Sequence, residues 1–214
     1  GAGKNTPVIL QFKEPLIQNA APFGQTIEQM AQDSLRMLKK QAPEGPYILC
    51  GFSLGCAITM EMAKQLGPDE VKSLVMLDPP YDMIGARPEV QSLWTRTKKR
   101  WHIIIRRWLR VRRFKPLIAT AKERFERTPN DKDLRHENFN LAYIDALARY
   151  FIPFYEGKTE IFYTDINTSL DKGDVMDTHF PNKTLTHLDV SHDGLIEEPE
   201  GILQVSKALI ANCR

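Results

Sequence analysis

Gly51-Phe52-Ser53-Leu54-Gly55 follows the apolar run Tyr47-Ile48-Leu49-Cys50 and leads into a helical pattern from Cys56 to Leu66. Strand, sharp turn with a serine at its tip, then helix: a G-x-S-x-G sequence in this setting forms a nucleophile elbow. The turn forces a strained backbone on Ser53 so that its Oγ stands clear of the sheet. Side chains two positions to either side would crowd such a turn, and glycine at 51 and 55 is expected to relieve that crowding. The helix then directs its N-terminus at the site, and the Leu54 N–H is placed to hold an oxyanion. The chemistry implied is covalent acyl transfer. The plain alternative is a glycine-rich strand-to-helix turn with an incidental serine.

Outward from the elbow, apolar runs alternate with helical stripes. Pro7 to Phe12 reads as a short buried strand. Thr26-x-x-Gln29 has the form of a capping box, and Ile27, Met30, Ala31, Leu35 and Leu38 form a helical stripe behind it. Pro43 to Pro46 breaks that helix, and Gly67-Pro68 stops the elbow helix. Ser73 to Leu77, Thr159 to Tyr163 and Thr184 to Leu188 read as strands, with a polar loop between the last two. A final helix runs from about Glu200 to Ala211. The alternation predicts an α/β fold with a mostly parallel sheet. A polar and basic helical region from about Pro88 to Phe151 is too long for a simple crossover, so it is expected to be an insertion covering the serine.

A serine hydroxyl needs a base within hydrogen-bond reach, and the base needs an orienting carboxylate. His192 is the candidate base. It lies past the last predicted strand, in Ser191-His192-Asp193-Gly194-Leu195, before the last helix. His187 falls inside the strand pattern and reads as structural. Two aspartates close strands at the carboxyl edge of the sheet, where such sites collect: Asp78 and Asp165. The aspartate that is not used reads as a turn residue or helix cap.

The 214 residues suit one α/β domain, and the formal net charge of +2 gives no general nucleic-acid signature. No apolar run approaches the roughly 18 residues of a membrane span, and no signal peptide is visible. Cys50, Cys56 and Cys213 are an odd set without metal spacing, read as reduced thiols of a cytoplasmic protein. The sequons at Asn167 and Asn182 then carry no meaning. The five histidines also lack ligand spacing, so no metal is expected.

The stretch Gly45-Pro46-Tyr47 through Gly55, with Glu61-Met62-Ala63-Lys64-Gln65-Leu66, resembles the thioesterase domains of nonribosomal peptide and polyketide synthetases, members of the α/β-hydrolase superfamily. Those read GPY-x-L-x-G-x-S-x-GG followed by E-x-A-x-x-L. Leu74 to Asp78, Phe154 to Lys158, and Ser191 to Leu195 with Pro199 resemble their next strand and acid, a later turn and the histidine loop. The resemblance covers nearly the whole chain apart from the lid, about 85–151, within one domain of residues 1–214. It implies a serine thioesterase with the triad Ser53, Asp78 and His192. Such an enzyme releases an acyl, peptidyl or polyketide chain from the phosphopantetheine arm of a carrier protein, by hydrolysis or cyclisation. It implies no permanently bound cofactor, and a carrier domain upstream in the same polypeptide. Chain-terminating members place the acid where Asp78 stands; stand-alone editing (type II) members place it where Asp165 stands. The strand sequence is closer to the first kind. A type II thioesterase, a small-molecule esterase and a catalytically silent binding module of the same fold are the alternatives.

Two departures from the family stand out. Cys56 replaces the usual second glycine. The start, Gly1-Ala2-Gly3-Lys4-Asn5-Thr6-Pro7, looks like the segment after the family's first strand and its Pro/Gly-rich loop. The first N-terminal strand and the second oxyanion donor are therefore expected to be missing from this chain and to lie upstream. Losing one such donor costs roughly 100- to 1,000-fold in rate.

Within the insertion, Trp94, Trp101 and Trp108 recur at heptad spacing and share one helix face. Ten Lys and Arg residues surround them, including Arg106 and Arg110, with no acid between Glu89 and Glu123. One reading is a lid helix whose Trp face packs on the body while its charges are solvated. A functional reading adds electrostatic docking of an acidic carrier protein, with the Trp face lining an acyl channel. Neither nucleic acid nor membrane is expected as a partner.

Overall fold

A computed structural model describes residues 25–80, 85–86, 142–165 and 174–213. The expected strand Pro7 to Phe12, together with Trp94, Trp101, Trp108, Arg106 and Arg110, lies outside these residues, as does most of the expected insertion.

Helix α1 (Ile27–Gln41) starts with the expected capping box: Gln29 N–H donates to Thr26 Oγ1 at 3.3 Å, and Gln29 Oε1 accepts from Thr26 N–H at 3.0 Å. Its stripe is buried at Ile27, Met30, Ala31 and Leu38, and Leu35 packs at the margin. Strand β1 (Tyr47–Phe52) feeds helix α2 (Gly55–Leu66), which ends at Gly67 with φ 85°. Strand β2 (Val71–Leu77) begins two residues before the predicted start.

The two ends of the expected insertion are tied by a feature the sequence pattern missed. Strand β3 (Gly85–Ala86) pairs in parallel with β4 (Phe151–Ile152), and residues 142–149 form helix α3 just before it. Strand β5 (Thr159–Tyr163) matches its predicted bounds. The expected polar loop after it contains a short helix, α4 (Asp174–His179). Strand β6 (Lys183–His187) starts and ends one residue earlier than read. A four-residue helix, α5 (Gly194–Glu197), precedes α6 (Pro199–Cys213).

The main sheet has the order β1-β2-β5-β6, and every pair is parallel. Strand β2 is covered on both faces, which is why it reads as an apolar run rather than an alternation. Leu74 and Met76 join the core on the α1–α2 side, while Val75 and Leu77 join a second core with Leu195 and Val205. Because the strands are parallel, their carboxyl ends share one edge. No helix among the described residues is long and apolar enough to cross a membrane.

Candidate active site

Ser53 follows β1 directly, with φ 50°. An L-residue rarely adopts that conformation, and such strain clusters at functional turns. The turn is held from below. Ser53 N–H donates to the Leu77 carbonyl at 2.8 Å, and Cys56 N–H donates to the Ser53 carbonyl at 3.0 Å. A Cβ at Gly51 would come within 2.3 Å of Thr59 Oγ1 and 2.8 Å of Cys56 Cα, so glycine is required there. The same expectation fails at Gly55, where an added Cβ meets nothing within 4 Å beyond its neighbours and its own helix backbone. Cys56 fills the space beneath the elbow. It is fully buried, and its Sγ donates to the Gly51 carbonyl at 3.1 Å and lies 3.5 Å from that of Leu77. Burial pushes this thiol well above its usual pKa, so it stays protonated and able to donate.

Asp78 directly follows β2, with φ 48°, and is almost fully buried. Its N–H donates to the Phe162 carbonyl at 2.7 Å, fixing the end of β2 to β5. A buried carboxylate needs donors, and the neighbouring strand ends supply them. His192 Nδ1 lies 2.5 Å from Asp78 Oδ2, and Thr164 donates from Oγ1 to Oδ2 at 2.9 Å and from N–H to Oδ1 at 3.2 Å. The carboxylate accepts, so Nδ1 carries the imidazole proton and a neutral ring keeps its lone pair at Nε2. The Phe52 ring stacks on His192 with centroids 4.8 Å apart, bringing the imidazole beside the elbow. No hydrogen bond joins Ser53 Oγ to His192 among the described residues; in unliganded sites such contacts often close only around substrate.

The loop carrying His192 is braced locally. Ser191 Oγ accepts from Gly194 N–H at 3.0 Å and donates to Glu198 Oε1 at 2.9 Å. A Cβ at Gly194 would meet that Glu198 carboxylate at 2.3 Å. Asp165 sits elsewhere: its Oδ1 lies 2.8 Å from His187 Nε2, at the exposed ends of β5 and β6. The structure thus pairs Asp78 with His192 and Asp165 with His187.

The family pattern of the thioesterase domain matches residues 7–149. This chain belongs to that family. It is 46% identical over 57 residues to the polyketide synthase PksR of Bacillus subtilis (strain 168), covering 26% of this chain and 2% of that protein. It is 33% identical over 86 residues to the atromentin synthetase nps3 of Serpula lacrymans var. lacrymans (strain S7.9), covering 39% of this chain and 9% of that protein. The chain therefore spans a small part of the relatives it matches. Among solved structures, the NocB thioesterase domain in covalent complex with a fluorophosphonate nocardicin G analog aligns with a TM-score of 0.60 at 19% identity, over 94% of this chain and 81% of that one. That likeness is one of fold, and the fold is the α/β-hydrolase.

Sequence reading missed Thr164 and Phe52 as parts of the site. Thr164 reads as an ordinary β-former at a strand end, and Phe52 as the variable residue of the elbow. Strand order was the available signal: whatever follows β5 must lie between the ends of β2 and β6.

Proposed function

We propose that this domain is a serine thioesterase that releases an acyl, peptidyl or polyketide chain from a phosphopantetheinyl carrier protein. The observation that carries the proposal is the buried Asp78–His192 hydrogen bond, formed beside a serine held at positive φ. Ser53 Oγ attacks the thioester carbonyl carbon while its proton passes to His192 Nε2. The oxyanion that forms accepts from the Leu54 N–H. The C–S bond then breaks, and the departing sulfur takes the proton from the imidazolium. This leaves an ester on Ser53 and a free phosphopantetheine thiol on the carrier. Water, or a hydroxyl or amine of the chain itself, attacks that ester. His192 takes the incoming proton and returns it to Ser53 Oγ. Asp78 holds the imidazole in the required tautomer and stabilises it when charged. Phosphopantetheine enters here as part of the substrate.

The pairing of Asp78 with His192 supports the chain-terminating kind of thioesterase over the editing kind, whose acid position is occupied by Asp165. Similarity to a polyketide synthase and an atromentin synthetase supports a carrier domain as partner. The test uses an acyl carrier thioester and the matching simple ester, with a fluorophosphonate to label the serine. The carrier thioester is expected to turn over faster. Ser53→Ala abolishes both turnover and the labelling mass shift. Asp78→Asn lowers kcat about 10,000-fold, as at other serine triads, while Asp165→Asn stays within about threefold. If only Asp165→Asn abolishes turnover, the assignment of the acid is wrong. If neither the thioester nor the phosphonate reacts, the domain is a binding module.

A further inference from the structure

We infer that Thr164 is a positioning residue that aims the Asp78 carboxylate at His192; the inference rests on the triad proposed above. Thr164 is 1% exposed, so its hydroxyl must find a partner inside the protein. It finds Asp78 Oδ2 at 2.9 Å, the same oxygen that lies 2.5 Å from His192 Nδ1. Its N–H meets the other oxygen, Oδ1, at 3.2 Å. Two donors from one residue fix both the rotation of the carboxylate and its position along the edge of the sheet. Hydrogen bonds to a charged acceptor are the strong ones, and here they act out of water.

The placement follows from topology. Strand β5 lies between β2 and β6, so the residue after β5 stands where the His192 loop must cross to reach Asp78. Threonine suits that place because it donates a proton without adding charge. A positive side chain would compete with His192 for the carboxylate, and a negative one would repel it. The next residue, Asp165, turns outward instead, and its Oδ1 lies 2.8 Å from His187 Nε2 at the end of β6.

The experiment compares Thr164→Val, Thr164→Ser, Asp78→Asn and the double variant Thr164→Val/Asp78→Asn in the full chain. Each is checked for folding by thermal unfolding. Turnover of an octanoyl thioester of N-acetylcysteamine is read alongside the rate of fluorophosphonate labelling at Ser53. Valine keeps the shape and loses the donor, so kcat and the labelling rate should fall about tenfold with KM unchanged. Serine keeps the donor and should retain most of the rate. In the Asp78→Asn background the valine change should cost less than threefold, because the carboxylate it served is gone. Equal losses in the valine and serine variants would mean that the cost follows packing at this position and not the hydroxyl donor, and would overturn the inference. So would a full tenfold loss added on top of Asp78→Asn. A large effect of Asp78→Asn with none from Thr164→Val defeats this inference alone, whereas an Asp78→Asn variant that reacts normally defeats the triad.

Discussion

A single added carbon separates the two glycines of the elbow. At Gly51 a Cβ would press on Cys56 Cα at 2.8 Å and on Thr59 Oγ1 at 2.3 Å. Backbone cannot yield there without moving the start of α2, whose Cys56 N–H holds the Ser53 carbonyl. At Gly55 no comparable neighbour exists. Gly51→Ala should therefore destabilise the fold by about 1–3 kcal/mol, the usual range for overpacking, and slow phosphonate labelling of the protein that does fold. Gly55→Ala should change stability by no more than about 0.5 kcal/mol. Urea unfolding of the two variants beside the wild type checks both figures. Equal losses would mean that the elbow is not anchored through Cys56.

Elements became readable from sequence in proportion to how strongly burial patterned them. Helix α1 carries a capping box and a buried stripe, and β2 an apolar run enclosed on both faces, so both were visible. Strand β6 alternates only weakly between its faces, and its bounds came out one residue late. The two-residue pair β3–β4 has no periodicity to read, and α4 is too short to show a stripe. Strand ends and loop position pointed to Ser53 and His192 but left Asp78 and Asp165 open, because both follow parallel strands at the same edge and only the fold pairs Asp78 with His192. Thr164 was not legible, because its meaning depends on which strands are neighbours. Helix α4 also carries a titrating group. His179 is 1% exposed, with Nδ1 lying 3.2 Å from the Pro153 carbonyl. That carbonyl can only accept, so Nδ1 bears the proton. Burial lowers the pKa of His179 below its ordinary 6.5, and the Pro153 bond opposes this only in part. The unfolded chain then binds more protons than the folded one below about pH 6.5, so stability rises with pH across that range and falls as the solution is acidified. His179→Gln, which keeps a donor but cannot titrate there, should flatten the change in urea midpoint between about pH 5 and 7. An unchanged slope would show that His179 does not contribute to it.

At the scale of the whole molecule, parallel pairing separates the part that stabilises the protein from the part that would react. Asp78 and His192 are 114 positions apart in sequence and meet because β2, β5 and β6 all end at one edge. The middle of the same strands lies in the core, away from that edge. Leu74 is fully buried on β2, in the core shared with α1 and α2, while Asp78 follows the strand's last residue. Leu74→Ala removes buried methyl groups from a region closed on both faces, where neighbours cannot readily collapse into the gap. A loss of about 2–5 kcal/mol is expected. Register along β2 is set by its backbone pairing to β1 and β5, which the substitution leaves in place. The elbow and the Asp78–His192 bond should therefore keep their geometry in every molecule that remains folded. The variant should unfold at a clearly lower temperature, yet label Ser53 with fluorophosphonate at close to the wild-type rate at temperatures well below its own transition. If labelling falls in step with stability while the protein is still folded, packing in the middle of the sheet reaches the site, and the edge cannot be treated as a separate rigid platform.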